Sequence, residues 1–172
     1  EGLGDLVVNK LGIKAEAPDL SHWRELVERL RTPHEPVNIA LVGKYVELKD
    51  AYYSVREALC HAAFFHNREI NMQWVQSEDL ERENGTNLLR TAQGIVVPGG
   101  FGNRGTEGMI KAAEYARIHK VPYLGLCLGM QMMVIEYARN VVGMAKANST
   151  EFDPETPFPV IDLMPEQKKV LN

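Results

Sequence analysis

Cysteine is scarce in this sequence. Its 172 residues include two cysteines, Cys60 and Cys127, which stand far apart and outside any metal-ligand spacing. A disulfide scaffold and a cysteine-based zinc site are therefore not indicated. The pattern favours a reducing compartment, so we expect a cytoplasmic protein that holds no metal in this segment.

A surplus of positive charge and a long apolar run are also missing. The formal net charge is −4, so the chain has no basic footprint for nucleic acid. No apolar run approaches the roughly 18 residues that span a bilayer, and no secretory signal opens the chain. We therefore expect neither nucleic acid nor a membrane as a partner. The composition, with 45% apolar and 24% charged residues, is typical of one globular domain with an appendage.

The first 36 residues form a region of their own. Apolar residues from Trp23 to Leu30 recur at helical spacing, and Asp19 stands where a cap would begin that helix. Pro33 and Pro36 then end it, because each proline removes a backbone donor and favours extended backbone before it. We interpret residues 1–36 as a linker helix that follows an upstream domain, and both ends of the chain as cut.

From residue 37 onward, apolar strands alternate with helices. Such an alternation predicts a parallel, doubly wound α/β sheet with helices on both faces. The strand around residue 72 alternates apolar and polar side chains, which places it at an edge of the sheet. The predicted elements are strands over 37–42, 70–74, 95–97 and 121–126, and helices over 54–66, around 109–116 and over 128–139.

Glycine-bearing turns end three of these strands. They contain Gly43, then Gly99 with Gly100, then Gly125 with Gly129. In open parallel sheets, ligands bind at the carboxyl ends of the strands. We therefore expect the functional site where these turns meet.

The turn at Cys127 predicts a nucleophile. An apolar strand runs into Gly-x-Cys-x-Gly and an apolar helix follows at once, which is the cysteine form of a nucleophile elbow. The flanking glycines keep Cβ atoms out of a turn where backbone passes close to backbone. The first N–H groups of the helix favour negative charge on the sulfur. The alternative is an inert cysteine buried between strand and helix.

The turn after Val97 is expected beside this elbow, since consecutive strands of such sheets often lie side by side. A backbone N–H of the segment Pro98–Gly102, together with the N–H of Leu128, would then form an oxyanion hole for a carbonyl attacked by Cys127. The alternatives are a phosphate-binding turn or a merely tight turn.

A general base for Cys127 is missing from the sequence. A cysteine nucleophile is generally activated by a nearby base, most often histidine. Of the five histidines, two lie in the linker, two lie on the helix over 54–66, and His119 precedes the elbow strand. His119 is therefore expected at the opposite end of the sheet from Cys127.

A polar segment, Asn148–Asp153, follows the elbow helix and is predicted to be a loop. Glu151 within it has the charge to bind a substrate ammonium group. The alternative is that this carboxylate only caps or solvates the loop.

The turn sequences together resemble those of class I glutamine amidotransferases, which share Pro98-Gly99-Gly100 and the elbow Gly125-Leu126-Cys127-Leu128-Gly129. Further strings narrow the resemblance to the CTP synthase family. They are GKYVELKDAY at 43–52, GGFGNRG at 99–105, NSTEFD at 148–153 and IDLMPEQ at 161–167. The likeness covers nearly the whole chain, and the strings in combination are highly specific.

The resemblance implies a ligase that makes CTP from UTP, ATP and ammonia, with the ammonia coming from L-glutamine. Cys127 would attack the glutamine side-chain amide, and Gly100 and Leu128 would hold the oxyanion. The further glutamine-binding positions that it implies are Gly129, Met130, Gln131 and Glu151. Family members are activated by GTP, and Arg104 in the glycine-rich loop is the candidate for contacting it.

The resemblance also divides the chain. Residues 1–36 would be the tail of a synthetase domain with its linker, and residues 37–172 the first part of a glutaminase domain. The family's catalytic His and Glu, and an arginine that helps to bind glutamine, would follow Asn172, whereas its ATP, UTP and magnesium sites belong to the synthetase domain. We therefore expect no cofactor in this segment and no CTP synthesis by it. We expect at most slow glutamine hydrolysis, since a general base typically contributes of order 10² to 10⁴ in rate. The full-length enzyme is expected to be a homotetramer.

Two other functions compete with this one. The DJ-1/PfpI group of cysteine hydrolases shares the Gly-Gly turn and the elbow cysteine, but its members place an acidic residue near the cysteine. Glu47 is the candidate for that role here, although its string already fits the CTP synthase family. The third possibility is a non-catalytic module that takes part in the assembly of CTP synthase tetramers or filaments.

Overall fold

The computed structural model describes residues 2–168, and its contacts divide the chain after Pro33 into two compact units. Both chain ends, which the sequence analysis interpreted as cut, lie outside the described residues. The last four residues of the expected glutaminase segment lie outside them as well. No helix in the described range is both long and apolar enough to cross a membrane.

The first unit contains two helices, α1 (Leu3–Leu11) and α2 (Ser21–Arg31). Helix α2 confirms the predicted helix, which ends at Arg31, before Pro33. The Asp19 side chain accepts the N–H of Ser21 through Oδ1 at 2.9 Å, so the expected capping residue does satisfy a donor at the helix start. Helix α1 has no counterpart in the sequence prediction.

The second unit holds the remaining regular elements. Its strands are β1 (Glu35–Gly43), β2 (Arg68–Gln76), β3 (Gly94–Val97), β4 (Tyr123–Gly125), β5 (Ala147–Ser149) and β6 (Phe158–Ile161). Its α-helices are α3 (Tyr53–Phe65), α4 (Thr106–His119), α5 (Leu128–Asn140) and α6 (Pro165–Lys168). Short 3₁₀ helices span Lys49–Tyr52, Ser77–Glu81 and Gly85–Leu89.

Four of the strands form one parallel sheet in the order β2-β1-β3-β4. Strand β2 lies at an edge, as its alternating pattern predicted, and β3 lies directly beside the elbow strand β4. The parallel α/β fold class is therefore confirmed. All four strands point the same way, so the turns that follow them meet at one end of the sheet.

The core lies on both faces of this sheet because successive side chains of a strand point to opposite faces. Ala40 and Val42 belong to the larger cluster, in which α4 and α5 contribute fully buried residues such as Met109 and Ile135. Leu41, between them, belongs to a second cluster on the other face. Helix α3 contributes a partly buried side chain to that second cluster.

The predicted loop over 148–153 is wrong in its first part. Asn148 and Ser149 belong to strand β5, which pairs in parallel with β6 in a separate two-stranded sheet. Ala147 and Ser149 are buried in it, and the N–H of Thr150 donates to Ile161 O at 3.0 Å. The pairing joins segments about ten residues apart, so polar composition alone gave no sign of it.

Candidate active site

Cys127 stands on a sharp, strained turn between β4 and α5. Its backbone has φ 53° and ψ −107°, a conformation that residues with a Cβ rarely adopt, and it directly precedes the first turn of α5. The residue is exposed rather than buried. Such strain persists only where the surrounding structure imposes it, and it is concentrated at functional sites. The alternative of a buried cysteine is therefore wrong, whereas the reactivity of Cys127 stays a prediction.

The glycines that flank Cys127 are required by close packing. A Cβ on Gly125 would lie 2.5 Å from the backbone carbon of Gly129. A Cβ on Gly129 would overlap the carbonyl oxygen of Val97 and lie 2.8 Å from its carbonyl carbon. The strand, the turn and the helix therefore touch through backbone atoms, and this confirms the steric reason for the Gly-x-Cys-x-Gly pattern.

The turn after β3 lies against the elbow, as predicted. The N–H of Leu126 donates to Val97 O at 2.9 Å, which joins the ends of the two strands. A Cβ placed on Gly99 would lie 3.5 Å from Cβ of Cys127, and one on Gly100 would lie 3.5 Å from Cδ2 of Leu128. These are ordinary contact distances, so protein atoms alone would tolerate a methyl group at either glycine.

Several backbone donors at this junction have no protein acceptor, and those of Gly100 and Leu128 are among them. Within residues 2–168, the N–H groups of Gly100 and Leu128 make no hydrogen bond, whereas those of Gly129 and Met130 donate to Leu126 O and Cys127 O at 3.0 and 3.1 Å. Backbone N–H groups are otherwise nearly always paired. Donors left open beside an exposed thiol are the arrangement that stabilises an oxyanion.

Gln131 and Glu151 line one open cavity of about 360 Å³. The other residues around it come from the end of β5 and the end of β6, and they are Ser149, Thr150, Ile161, Asp162 and Leu163. Glu151 is exposed, and its N–H donates to Ser149 Oγ at 3.2 Å. The structure therefore brings together two of the residues that the resemblance implied for glutamine binding.

Gly129 and Met130 have different surroundings from these two. Gly129 is buried against Val97, and its carbonyl oxygen accepts the Tyr123 hydroxyl at 2.9 Å. Burial, with the charge of Glu136 as a smaller cause, raises the pKa of Tyr123 well above its usual value, so this hydroxyl keeps its proton and donates. Met130 is 43% exposed on the outside of the same helical turn.

Arg104 lies in a different cluster, beyond the glycine-rich turn. Its guanidinium pairs with Glu78, donates to Lys44 O at 2.9 Å, and lies 6.0 Å from the ring centre of Tyr45. These residues line a second cavity of about 500 Å³, in which Cys127 takes no part. The expected effector residue is thus placed apart from the elbow.

Lys44 is a residue of this region that the sequence did not single out. It follows β1 directly and is 2% exposed, and its Nζ donates to the carbonyl oxygens of Phe101 at 3.1 Å and of Gly102. A lysine directly after an apolar strand, at the end of the sheet where the glycine turns gather, was the available signal. Its partners lie 57 and 58 residues further along the chain, so no local pattern could identify them.

His119 does not lie beside Cys127. His119 ends α4, before β4 begins, and its ring stacks on Tyr115 with the ring centres 4.0 Å apart. Within the described part of the chain, the Cys127 thiol makes no hydrogen bond to a histidine or to Glu47, which lines the cavity around Arg104. The acidic partner required by the DJ-1/PfpI alternative is therefore not in place.

Comparison with known protein families gives one family model, the class I glutamine amidotransferases, which matches residues 47–156. Among solved structures, the chain is similar to a structure described as the glutaminase domain of Trypanosoma brucei CTPS with bound acivicin. That likeness has a TM-score of 0.71 and 44% sequence identity, and it covers 75% of this chain and 50% of the other.

Curated relatives match over almost the whole chain. A CTP synthase of Dehalococcoides mccartyi is 61% identical over 99% of this chain and 31% of its own length. A CTP synthase of Pelotomaculum thermopropionicum is 56% identical over 99% of this chain and 32% of its own length. The chain therefore spans about a third of the length of these relatives, and the resemblance to CTP synthases is confirmed.

Proposed function

The chain belongs to the class I glutamine amidotransferases, and from that premise we propose that it is the ammonia-releasing part of a CTP synthase. Its substrate is L-glutamine and its nucleophile is Cys127. The observation that carries this proposal is the strained, exposed cysteine with two open N–H donors beside it.

The reaction begins when the Cys127 sulfur adds to the side-chain amide carbon of glutamine. A C–S bond forms, and the π electrons of the carbonyl move to oxygen, where the N–H groups of Gly100 and Leu128 donate to the negative charge. The carbonyl then re-forms and the C–N bond breaks. The leaving nitrogen takes the proton given up by the thiol and departs as ammonia, leaving a glutamyl thioester. Water hydrolyses the thioester to glutamate and regenerates the thiol.

The cavity beside the elbow holds the rest of the substrate in this proposal. Glu151 pairs with the α-ammonium group of glutamine, and Gln131 on the first turns of α5 contacts the substrate between that group and the amide. Met130 contacts the substrate through its exposed side chain, and Gly129 contacts it through its backbone. A charge-assisted contact at the far end of the substrate orients the amide towards the sulfur.

The activity of the whole protein forms part of the same proposal. The ammonia aminates UTP to CTP in an ATP-dependent ligase reaction in pyrimidine nucleotide synthesis, with magnesium serving the ATP. GTP acts as an effector through Arg104, and the full-length enzyme is a cytoplasmic homotetramer. The absence of a cofactor in this segment stays a prediction.

The 172-residue chain is expected to turn glutamine over slowly. Within the described part of residues 34–168, no histidine is hydrogen-bonded to Cys127, and general acid–base catalysis typically contributes of order 10² to 10⁴ in rate. The thiol still has its strained geometry and open donors, so covalent capture of a reactive analogue is expected even where turnover is slow. Glutamine hydrolysis at rates typical of intact enzymes, of order 1 to 10³ per second, would contradict this expectation.

Labelling with a glutamine-like diazoketone tests the proposal. We expect a single adduct on Cys127, detected by mass spectrometry, and slower labelling in excess L-glutamine. Cys60 provides an internal control because it is a second thiol, half-buried on α3. Acivicin, named with the trypanosomal glutaminase domain, is a second probe for the same position.

Each outcome of this experiment favours a different function. Labelling of Cys127 without protection by glutamine would indicate a reactive thiol that does not bind glutamine. No labelling of Cys127 would favour the non-catalytic assembly module. A Cys127→Ala variant must show no adduct at the elbow.

A further inference from the structure

We propose that Lys44 is a positioning residue that holds the glycine-rich turn in the arrangement that presents the Gly100 N–H to the oxyanion. The inference rests on the proposed function, because it assigns a role to a residue that does not touch the substrate. The residue acts through the turn Pro98–Gly102, to which its side chain is bonded.

Lys44 reaches the turn because the sheet places it there. Strand β1 pairs with β3 in parallel, with Leu41 opposite Val96, so the residues that follow the two strands lie side by side. The side chain of Lys44 runs past Gly100, where an added Cβ would lie 3.4 Å from its Cδ. Its Nζ then donates to two consecutive carbonyl oxygens, those of Phe101 and Gly102.

The turn has few other constraints. The Phe101 side chain is 87% exposed and packs little against the protein. Gly102 has φ +74°, and an added Cβ there would meet no atom within 4 Å. A peptide group is planar, so fixing the carbonyls of Phe101 and Gly102 orients the two peptide groups that directly follow residue 101 and limits how the chain can leave Gly100. Two adjacent carbonyls held by one ammonium therefore define the course of the chain just after Gly100.

Lys44 is itself held rigidly. Its N–H donates to the Tyr52 hydroxyl oxygen at 3.0 Å, and its carbonyl oxygen accepts from Gln76 Nε2 at 3.1 Å and from Arg104 Nη2 at 2.9 Å. Because its backbone N–H and its carbonyl are both hydrogen-bonded, Lys44 can hold the loop to which its side chain is bonded in a fixed position. A surface lysine with a mobile stem could not do so.

The charge of Lys44 is consistent with a functional placement. Burial lowers the pKa of its ammonium below the ordinary value, and the charge of Arg104 lowers it further, while the carboxylates of Glu78 and Glu151 act in the opposite direction. Burying a lysine is costly unless its donors find acceptors. Here the acceptors are carbonyls of the very turn that borders the elbow.

A Lys44→Met variant tests the role, because methionine keeps an apolar stem of similar length and removes the three donors. Two reagents are compared on Cys127 of the 172-residue chain. The glutamine-like diazoketone must place its ketone oxygen at the Gly100 and Leu128 donors, whereas iodoacetamide alkylates the sulfur without needing them. We expect the diazoketone rate to fall at least tenfold and the iodoacetamide rate to stay within twofold of the unchanged chain.

Lys111→Met is the matched control. Lys111 also donates from Nζ to a backbone carbonyl, that of Glu81 at 3.0 Å, but on the exposed surface of α4. Both rates should be unchanged in this variant. A folded Lys44→Met chain with an unchanged diazoketone rate, or with both rates lowered equally, would overturn the inference.

A second variant is needed in case Lys44→Met does not fold, which the absence of a cooperative unfolding transition would show. Tyr52→Phe keeps the lysine and removes the phenol oxygen that accepts the N–H groups of Lys44 and Tyr45. We expect the same selective loss of diazoketone labelling, of smaller size, and an unchanged rate would overturn the inference. Failure of the proposed function has a different signature, because the unchanged chain would then show no glutamine-protected labelling.

Discussion

The elbow and the glycine-rich turn beside it are both built around glycine, but they are held in different ways. At the elbow, an added Cβ on Gly125 or Gly129 would collide with backbone. In the turn, an added Cβ on Gly99 or Gly100 would make ordinary contacts, and one on Gly102 would meet no atom within 4 Å. Steric contact fixes the first region, and hydrogen bonds from the distant side chain of Lys44 fix the second.

In the mechanism proposed above, this difference explains how the two halves of the site divide their work. The nucleophile needs a fixed position despite strained dihedral angles, and close backbone packing supplies it. The oxyanion donors need only to be oriented. The bonds from Lys44 to the turn provide that orientation, and Arg104 in turn donates to the Lys44 carbonyl. Changes at the elbow should therefore affect folding, whereas changes around the turn should affect chemistry and leave folding largely intact.

The largest expected effect is that of Gly129→Ala. The new methyl group would overlap the carbonyl of Val97, so β3 and α5 would have to move apart. Overpacking of this kind typically costs about 1–3 kcal/mol and sometimes more, and we place this change at the upper end, about 3 kcal/mol. Urea unfolding followed by circular dichroism measures it.

Gly102→Ala is the control for that change. Unlike Gly129, Gly102 has a positive φ of 74°, but its added methyl group has open space, so only the conformational cost of about 1–2 kcal/mol is expected. Equal losses of stability for the two variants would contradict the conclusion that steric contact fixes the elbow but not the glycine-rich turn.

A smaller effect is expected from relieving the strain at Cys127. Glycine tolerates φ 53° with ψ −107° better than alanine, so Cys127→Gly should be more stable than Cys127→Ala by about 1 kcal/mol. Both variants lose the thiol, so the comparison isolates the backbone. Thermal unfolding of the pair measures the difference, and a more stable alanine variant would show that the turn is not strained in solution.

The smallest expected effect is a pH dependence that arises at Glu78, whose carboxylate pairs with Arg104. Burial acts to raise the pKa of Glu78, but hydrogen bonds from its own N–H, Ser77, Gln76 and Arg104 outweigh it and hold the pKa below the ordinary value of 4.5. A lowered folded-state pKa gives stability that is present above the unfolded value and lost as pH falls through the folded one. Because Arg104 is half exposed and solvent screens the pair, we expect less than about 1 kcal/mol.

Glu78→Gln measures this contribution. The difference in unfolding free energy between the unchanged chain and the variant should be constant near neutral pH and should shrink as pH falls below about 4.5. Diazoketone labelling of the unchanged chain should weaken over the same range once the intrinsic pH dependence of the thiol, measured with iodoacetamide, is divided out. A difference in unfolding free energy that grows at acid pH would contradict a lowered pKa of Glu78 in the folded chain.

The elbow could be predicted from the sequence because its causes are local. The strand, the glycines, the cysteine and the helix follow each other within a few residues, and each has a recognisable pattern. The side-by-side placement of β3 and β4 followed from the topology of parallel sheets, and it too is confirmed.

The supports of the turn could not be predicted in this way. Lys44 bonds to residues 57 and 58 positions away, and Arg104 bonds to Glu78 across 26 positions. Strand β5 likewise depends on pairing with β6, and its polar residues are typical of a loop. Contacts of this kind are decided by the folded sheet rather than by local propensity.

The most direct test of the account is a crystal structure of the chain with the glutamine-like diazoketone bound to Cys127. We predict that the ketone oxygen of the adduct lies within about 3 Å of the backbone nitrogens of both Gly100 and Leu128, with the Lys44 ammonium still bonded to the turn behind them. An adduct whose oxygen points to solvent, or is held by other donors, would contradict the assignment of the oxyanion site and the role given to the glycine-rich turn.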